Sequence, residues 1–277
     1  MKERVTLTIE QDLLKQVDSL IDNNEVKNRS HAIEMMLYKA LGGTVPKKCV
    51  ILAGGAGIKL EPLTYETSKA LVPVLGRTIT EHIFDLLKRY GITDIVIAAG
   101  KNSQKIKEYY GNGEKFGVKI SYFEEDKPLG TAGALRLMKS QLKESFIVTN
   151  CDQLININIA QMYKVHQESK ALATIALTVA DRKNQVGVTK LEGFKVVDYV
   201  EEPFGKDTLG LVSTGFYIME PEVLELIPEG KSMLELNLFP KLAKRGQLAG
   251  YPFSGQWFHA DEPNDYYQAL KQWEEIR

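Results

Sequence analysis

Two kinds of hydrophobic periodicity divide the start of the chain into one strand and two helices. Val5, Leu7 and Ile9 alternate with polar residues, which is the period of a half-buried strand. Apolar side chains at helical spacing follow twice, over about residues 13–21 and 33–41. Two glycines then end the second helix, and a short linker containing a proline follows. This pattern predicts a small independent N-terminal unit.

The rest of the chain alternates apolar runs of strand length with helical patterns. The alternation predicts an α/β domain over residues 47–277, a Rossmann-like, mostly parallel sheet with helices on both faces, after a unit over residues 1–44. Ligands of such sheets bind at the carboxyl ends of the strands. Gly54–Gly57 and Asp152 follow predicted strands, so we expect them at that edge. The predicted elements are strands at Cys49–Ala53, Ile95–Ala99, Val118–Phe123, Phe146–Thr149 and Ala173–Val179, and helices at Ile79–Tyr90 and Ala132–Lys139.

Composition narrows the possible partners. The 277 residues include 35 basic and 36 acidic ones, so binding of nucleic acid would need a local basic patch. The N terminus has no apolar signal segment, and no run approaches the roughly 20 apolar residues of a membrane helix. Cys49 and Cys151 lie beside apolar runs and are expected to be buried free thiols. We therefore expect a soluble, cytoplasmic protein with no membrane partner.

A glycine-rich loop after the first strand of the larger domain is the clearest chemical signal. Gly54, Gly55 and Gly57 follow this strand, and Lys59 and Lys69 come soon after. Glycines allow close approach of a ligand and leave N–H groups free to point at an anion, so the segment is suited to hold phosphate. The spacing matches neither the dinucleotide-binding motif nor the P-loop, and a simple tight turn between strand and helix is the alternative.

A wider set of motifs resembles the sugar nucleotidyltransferases, also called nucleotide-sugar pyrophosphorylases. LAGGAG-x-x-L-x-PLT and SKALVPV are similar to the family patterns GG-x-GTRL-x-PLT and PK-x-L-x-PV. LGTAGA, NCD, EEP, TGFY and WFHADEP follow in the family's order. The resemblance covers about residues 47–277 and implies a nucleotidyltransferase-like fold, a nucleotide or nucleotide-sugar ligand and Mg²⁺ as cofactor.

The resemblance also implies roles for individual residues. Lys59, Lys69 and Asp152 would carry the chemistry, with Lys69 neutralising the transferred phosphate and Asp152 binding the metal together with the residue at position 259. The remaining expected contacts are Leu52, Ala53, Gly54, Gly55, Gly57, Gly130 and Asp152 for the nucleotide, with Gly130 against the base, and Glu201, Ser213, Thr214 and Gly215 for the sugar.

Four positions depart from the family pattern. Lys59 stands where the family has an arginine, which keeps the charge but loses the bidentate grip on pyrophosphate. Glu202 replaces a lysine that binds the sugar phosphate, and Ser213 replaces an asparagine that binds the sugar. His259 replaces the second metal aspartate, and imidazole is a poor ligand for Mg²⁺. Asp261 could compensate only if the local backbone shifts.

The N-terminal unit resembles the ribbon-helix-helix DNA-binding proteins. A lone strand with two short helices cannot close a core, so it would pair with a second copy and form at least a homodimer. The resemblance implies that the paired strands enter the major groove of double-stranded DNA. An arm that dimerises the protein without binding DNA is the alternative. The implied DNA contacts are Lys2, Arg4, Thr6, Thr8, Asn28, Arg29 and Ser30.

These observations lead to two rival hypotheses about function. The favoured one is a DNA-binding regulator, a homodimer whose degenerate nucleotidyltransferase-like domain binds a nucleotide or nucleotide sugar as effector. The alternative is an active sugar-1-phosphate nucleotidylyltransferase dimerised by its N-terminal unit. A scaffold that coats DNA is a third possibility.

Overall fold

The computed structural model describes residues 5–21, 26, 28–40, 45–55, 57–100, 103–125, 127–181, 187–200 and 209–275. The chain divides into two compact units, residues 1–43 and 44–276. No helix within the described ranges is long and apolar enough to cross a membrane.

The helices and strands alternate through most of the larger unit, as the hydrophobic pattern predicts. The helices are α1 Gln11–Asp18, α2 Arg29–Ala40, α3 Ile79–Arg89, α4 Ser103–Tyr110, α5 Gly130–Leu137, α6 Ile159–Ser169, α7 Val223–Leu226, α8 Phe239–Lys244 and α9 Pro263–Gln272. The strands are β1 Lys48–Ala53, β2 Pro73–Val74, β3 Arg77–Thr78, β4 Asp94–Ala99, β5 Lys119–Glu124, β6 Phe146–Asn150, β7 Gln153–Ile155, β8 Ala173–Asp181, β9 Val188–Glu192, β10 Lys195–Val200, β11 Leu209–Met219, β12 Leu248–Pro252 and β13 Trp257–His259.

Nine strands form one sheet in the order β5-β4-β1-β6-β11-β8-β12-β10-β9. Strands β5, β4, β1 and β6 are parallel, but β11 runs antiparallel to both β6 and β8, and β10 is antiparallel to β9 and β12. The sheet is therefore mixed, and the prediction of a mostly parallel sheet is wrong in its second half. Apolar runs of β11 and β8 do not encode strand direction, because both kinds of pairing bury them equally well.

Both faces of the sheet are buried under helices. Neighbouring residues of β1 point to opposite faces, so Val50 belongs to one core cluster and Ile51 to the other. Phe84 and Leu87 of α3 cover the Ile51 face, while Phe239 of α8 packs in the cluster on the opposite face. Cys49 and Cys151 are buried free thiols. The α/β part of the fold prediction is thus confirmed.

The smaller unit contains two helices around a minimal core. Val17, Val26 and Ala32 are its buried apolar residues, and Asn28 accepts a hydrogen bond from the backbone N–H of His31 at the start of α2. Residues 5–10 form no strand in the described part of the unit. A strand requires a hydrogen-bonded neighbour, and the expected ribbon-helix-helix arrangement is therefore not shown.

Candidate active site

The order of the strands brings the glycine loop and Asp152 to the same edge of the sheet. The chain proceeds from β1 to β4 and β5 on one side, and then returns to β6 on the other side of β1. The crevice at such a reversal, beyond the carboxyl ends of the strands, is where open α/β sheets bind ligands. Gly54 follows β1 and Asp152 follows β6, and the backbone N–H of Cys151 donates to the carbonyl of Leu52 across 3.2 Å.

The glycines of the loop differ in what requires them. Gly57 has a φ of +73°, and a Cβ atom there would lie 3.0 Å from the Thr64 side chain and 3.2 Å from Cγ of Lys69. A Cβ atom on Gly55 would meet nothing within 4 Å. Gly57 is therefore needed for the packing of the loop against Lys69, whereas Gly55 borders open space that a ligand can occupy.

Lys69 lies between two carboxylates. It begins a 3₁₀ turn, Lys69–Leu71, whose start is capped by the Ser68 hydroxyl. Its Nζ atom is 3.0 Å from Oδ2 of Asp152 and donates a hydrogen bond to Oδ1 of Asp261. Nζ of Lys59 is 3.2 Å from the other oxygen of Asp261. The three predicted catalytic residues thus lie together in one charged group, which consists of Lys59, Lys69, Asp152 and Asp261.

The short β13–β7 strand pair positions His259 beside these carboxylates. His259 is paired with Gln153 in the antiparallel β13–β7 pair, and the backbone N–H of Ala260 donates to the carbonyl of Asp152 at 2.7 Å. These bonds bring Nε2 of His259 to 3.7 Å from Oδ1 of Asp152. Asp261 follows and reaches the same group through Lys69.

The side chains of Asp152, Lys69, His259 and Asp261 perturb one another's ionisation strongly. Burial raises the pKa of Asp152, but His259 and Lys69 outweigh burial and hold that pKa well below its usual range. Burial also lowers the pKa of Lys69 and of His259, yet the neighbouring carboxylates of Asp152 and Asp261 raise both pKa values above their usual range. The neighbouring charges thus favour the ionised form of each of these side chains.

The same group fits a divalent cation. Ligand atoms of Asp152, His259 and Asp261 all lie within 4.8 Å of one another. Oδ1 of Asp152 is buried, accepts no hydrogen bond within 3.5 Å from the described residues and faces Nε2 of His259 at 3.7 Å. Two carboxylates and an imidazole are ordinary metal ligands in proteins, so the residues present fit a bound metal.

A cleft of about 100 Å³ adjoins the cluster of Asp152, His259 and Asp261, with His259 in its lining. A Cβ atom on Gly215, whose φ is +78°, would lie 2.6 Å from Nδ2 of Asn150, so only glycine fits there. Three of the four residues predicted to bind the sugar line this cleft, and the fourth, Glu201, lies outside the described residues. The lining residues are Asn150, Gly187, Tyr199, Ser213, Thr214, Gly215, Tyr217, Glu235, Trp257 and His259.

The space around Gly130 is limited by the protein itself. Its φ is +76°, and a Cβ atom there would lie 2.5 Å from the carbonyl oxygen of Ser232 and 2.8 Å from Sδ of Met233. A side chain at this position would therefore collide with backbone. We expected a collision with the nucleobase, and the structure gives this glycine a packing reason that the sequence did not reveal.

Two residues of the site escaped the sequence analysis. The buried amide of Gln153 donates to Thr149 and to the carbonyl of Gly215, and accepts from the indole of Trp257. Glu235, which comes much later in the sequence than Gln153, also lines the cleft. No local motif marks either residue, because their partners are distant in sequence.

The described residues that were expected to contact DNA are exposed on the surface of the N-terminal unit. Thr6, Thr8 and Ser30 are exposed. Arg29 forms a two-pronged ion pair with Asp18, at 2.6 Å and 2.8 Å, so its charge is already compensated within the unit. Lys2 and Arg4 lie outside the described residues.

Comparison with known proteins agrees with this site. A model of the nucleotidyl transferase family matches residues 48–276, and the chain belongs to this family. A UTP–glucose-1-phosphate uridylyltransferase of Synechocystis sp. is 30% identical over 246 residues, or 81% of this chain and 62% of that protein. A mannose-1-phosphate guanyltransferase 2 of Candida glabrata is 33% identical over 227 residues, or 79% of this chain and 62% of that protein. The chain therefore spans about three-fifths of the length of these curated relatives.

A solved structure supports the same conclusion. A Bacillus anthracis protein assigned as a glucose-1-phosphate thymidylyltransferase superposes with a TM-score of 0.75 at 28% identity. The match covers 83% of this chain and 96% of that one.

The comparisons overturn the favoured hypothesis about function. The family is that of the nucleotidyl transferases, and the relatives and the solved structure are named as sugar-1-phosphate nucleotidyltransferases, so the prediction of a DNA-binding regulator with a degenerate effector domain is wrong. That hypothesis rested on the four departures from the family pattern and on the resemblance of the N-terminal unit, and spacing alone did not show that Asp261 approaches Asp152.

Proposed function

We propose that the protein transfers a nucleotidyl group from a nucleoside triphosphate to a sugar 1-phosphate and releases pyrophosphate. An oxygen of the sugar phosphate attacks the α-phosphorus, a new P–O bond forms there, and the bond between the α-phosphorus and the bridging oxygen breaks. The observation that carries the proposal is the convergence of Lys69, Asp152 and Asp261 beside the glycine loop.

The nucleotide side of the site supports binding of a triphosphate. Gly54 and Gly55 are exposed at the end of β1, and Gly55 borders open space. Backbone N–H groups of such a loop favour an anion. Lys59 is about half exposed, with its Nζ atom near Asp261, so it can turn toward the β- and γ-phosphates. The positive charge of Lys59 then replaces that of the arginine which the family has at this position.

The charged group supports in-line transfer. Asp152 and Asp261, with His259 beside them, would hold a divalent cation, Mg²⁺ in the simplest case. When bound, that cation would offset negative charge on the phosphates. Lys69, released from its carboxylates, would neutralise the transferred phosphate. Positioning and electrostatics of this kind account for most of the catalysis of phosphoryl-type transfers.

The cleft supports binding of the sugar. Ser213, Thr214 and Gly215 line it together with His259, so a ligand there lies beside the metal group. The backbone of β11 forms this wall, and Gln153 fixes it by accepting from the Trp257 indole and donating to the Gly215 carbonyl.

Release of pyrophosphate tests the proposal directly. We would incubate the full chain with Mg²⁺, each common nucleoside triphosphate and either mannose 1-phosphate or glucose 1-phosphate. We expect turnover with at least one pair, and a loss of about 10²–10³-fold in kcat for Lys69→Met, the usual effect of removing one positioned charge. Lys244→Met, at an exposed lysine, is the control and should behave as wild type. Absence of turnover with every pair would count against the proposal.

We also propose that the N-terminal unit joins two copies of the chain. Val5 and Leu7 are 70% and 55% exposed, and Leu13, Leu20 and Leu37 of the same unit are exposed as well. So many exposed apolar side chains, in a unit whose described residues include three buried apolar ones, support burial against a partner. A second copy of the same unit is the partner that requires no further component.

A further inference from the structure

Glu235 is a largely buried carboxylate on the wall of the cleft. It lies in a single π-helical turn, Leu234–Leu238, and faces the cleft together with Ser213, Tyr217 and His259. Neither the glycine loop nor the charged group at Asp152 uses it. A buried carboxylate that opens onto a ligand cleft is a candidate for ligand recognition.

The surroundings of Glu235 connect it to α5 without supplying a positive charge: the Thr131 hydroxyl donates to its carboxylate and accepts from the backbone N–H of Leu234. No cation within the described ranges contributes to its ionisation; burial raises the pKa of its carboxyl, although Thr131 and Tyr217 donate to it. Burial of a carboxylate without a cationic partner is unfavourable for folding. The ionised form of Glu235 is therefore less favourable in the folded protein than in water.

Its two oxygens are engaged unequally. Oε2 accepts a good hydrogen bond of 2.8 Å from the Thr131 hydroxyl. Oε1 has only a long contact, 3.4 Å, with the Tyr217 hydroxyl. A contact of that length is weak, so a hydroxyl group of a ligand in the cleft can form a better one.

Ser213 offers only a neutral hydroxyl on the same wall of the cleft. Its side chain is short, and its hydroxyl lies 3.4 Å from the hydroxyl of Tyr217, which in turn points to Glu235. The polar wall of the cleft is thus a row of three side chains in contact: Ser213, Tyr217 and Glu235. The strongest acceptor on this wall is the carboxylate at its end.

We propose that Glu235 is a specificity-determining residue whose Oε1 atom accepts a hydrogen bond from a ring hydroxyl group of the sugar 1-phosphate. The inference rests on the proposed function, since it names the contact by which the same cleft recognises its sugar. Thr131 donates to Oε2, which leaves Oε1 as the oxygen that can accept a hydrogen bond from a ligand.

The test combines a variant with deoxygenated ligands. We would measure binding of mannose 1-phosphate, glucose 1-phosphate and their 2-, 3-, 4- and 6-deoxy analogues by calorimetry, to wild type and to Glu235→Gln. A hydrogen bond to a charged acceptor predicts about a tenfold weaker binding of one deoxy analogue by wild type. In Glu235→Gln the parent sugar phosphate should bind about tenfold more weakly, and the penalty for that same analogue should vanish.

Two controls separate recognition from structure. Glu222→Gln changes an exposed glutamate and should leave every affinity unchanged. Thermal unfolding without ligand should show Glu235→Gln to be as stable as wild type or more so, because it removes a buried charge. Thr131→Val removes the hydrogen bond to Oε2 and keeps the carboxylate. It should retain the penalty for the deoxy analogue.

Each outcome is decisive. Equal analogue penalties in wild type and Glu235→Gln overturn the role of Glu235 while leaving the proposed function intact. Loss of the penalty in Thr131→Val, together with destabilisation of Glu235→Gln, also overturns it, because both point to a structural role. Wild-type protein that binds neither parent sugar phosphate, with or without a nucleoside triphosphate present, overturns the proposed function itself.

Discussion

His259 changes the chemistry of the charged group more than any other single residue. It offers an imidazole nitrogen beside the carboxylates of Asp152 and Asp261, all within 4.8 Å. Mg²⁺ prefers oxygen ligands, whereas imidazole favours later first-row divalent ions. A centre with two carboxylates and one imidazole should therefore accept Mg²⁺ but bind an ion such as Co²⁺ more tightly.

Substitution of His259 by aspartate should reverse part of this preference. We expect the ratio of Co²⁺ to Mg²⁺ affinity to fall by about tenfold in His259→Asp, because an oxygen replaces the nitrogen. Visible absorption of bound Co²⁺, titrated and then competed with Mg²⁺, measures the ratio without any turnover. His31→Asp, in the N-terminal unit, is the control. An unchanged ratio would show that His259 does not contact the metal.

Glu235 should make stability depend on pH in an unusual direction. Because its pKa is raised in the folded protein, the folded state binds more protons than the unfolded state between the ordinary value near 4.5 and the raised one. Its contribution is therefore neutral at lower pH and becomes destabilising as pH rises through that window. Urea unfolding at pH 4 and pH 8 should show Glu235→Gln gaining stability relative to wild type at the higher pH. A constant difference between the two proteins would refute this account.

The sequence identified residues that belong to contiguous motifs and missed those defined by distant partners. Asp152, Lys69 and the glycine loop stand in recognisable local patterns, and the structure gathers them at one edge of the sheet. The joining of Asp261 to Lys69 spans 192 positions, and that of Glu235 to Thr131 spans 104. Contacts of this range depend on the register of strands, which hydrophobic pattern alone does not fix.

At the scale of elements, the loop after β1 combines a glycine that the packing requires with one that borders open space. Gly57 has a left-handed φ and touches Thr64 and Lys69, whereas Gly55 touches nothing within 4 Å. Alanine should therefore have opposite effects at the two positions. Gly57→Ala should destabilise the protein by about 1–2 kcal/mol, and Gly55→Ala should leave stability unchanged while weakening nucleotide binding.

Thermal unfolding and calorimetric titration with a nucleoside triphosphate would distinguish the two glycines. Since the variants carry the same added methyl group two residues apart, each is the control for the other. A loss of stability in Gly55→Ala, or none in Gly57→Ala, would mean that the loop has a different conformation.

The strands and helices themselves were largely predictable, and their directions were not. Apolar runs located β1, β4, β5, β6 and β8 to within about two residues, because β1, β4 and β6 are buried almost throughout and β5 and β8 in part. Strand β11 enters the sheet antiparallel, between β6 and β8. It brings Ser213 and Gly215 to the cleft from the opposite direction, and no periodicity distinguishes this arrangement from a parallel one.

At the scale of the molecule, the chain joins an enzyme-like α/β unit to a small unit that exposes its apolar residues. Alternation of Val5, Leu7 and Ile9 predicts a strand, yet residues 5–10 pair with no strand among the described residues. An extended segment whose apolar side chains alternate needs a neighbour both for its backbone and for its side chains. Self-association satisfies both requirements at once.

A charge on one face of this segment should separate the copies, whereas a charge on the next residue should not. Leu7→Glu puts a carboxylate where the proposed contact is apolar, so the full chain should run as a monomer in light scattering coupled to size exclusion. Thr6→Glu puts the same charge on the polar face and should leave the dimer intact, and turnover per chain should survive in both variants because the catalytic group lies within residues 44–276. Wild-type protein that is monomeric at every concentration would remove the reason for the exposed apolar side chains proposed here.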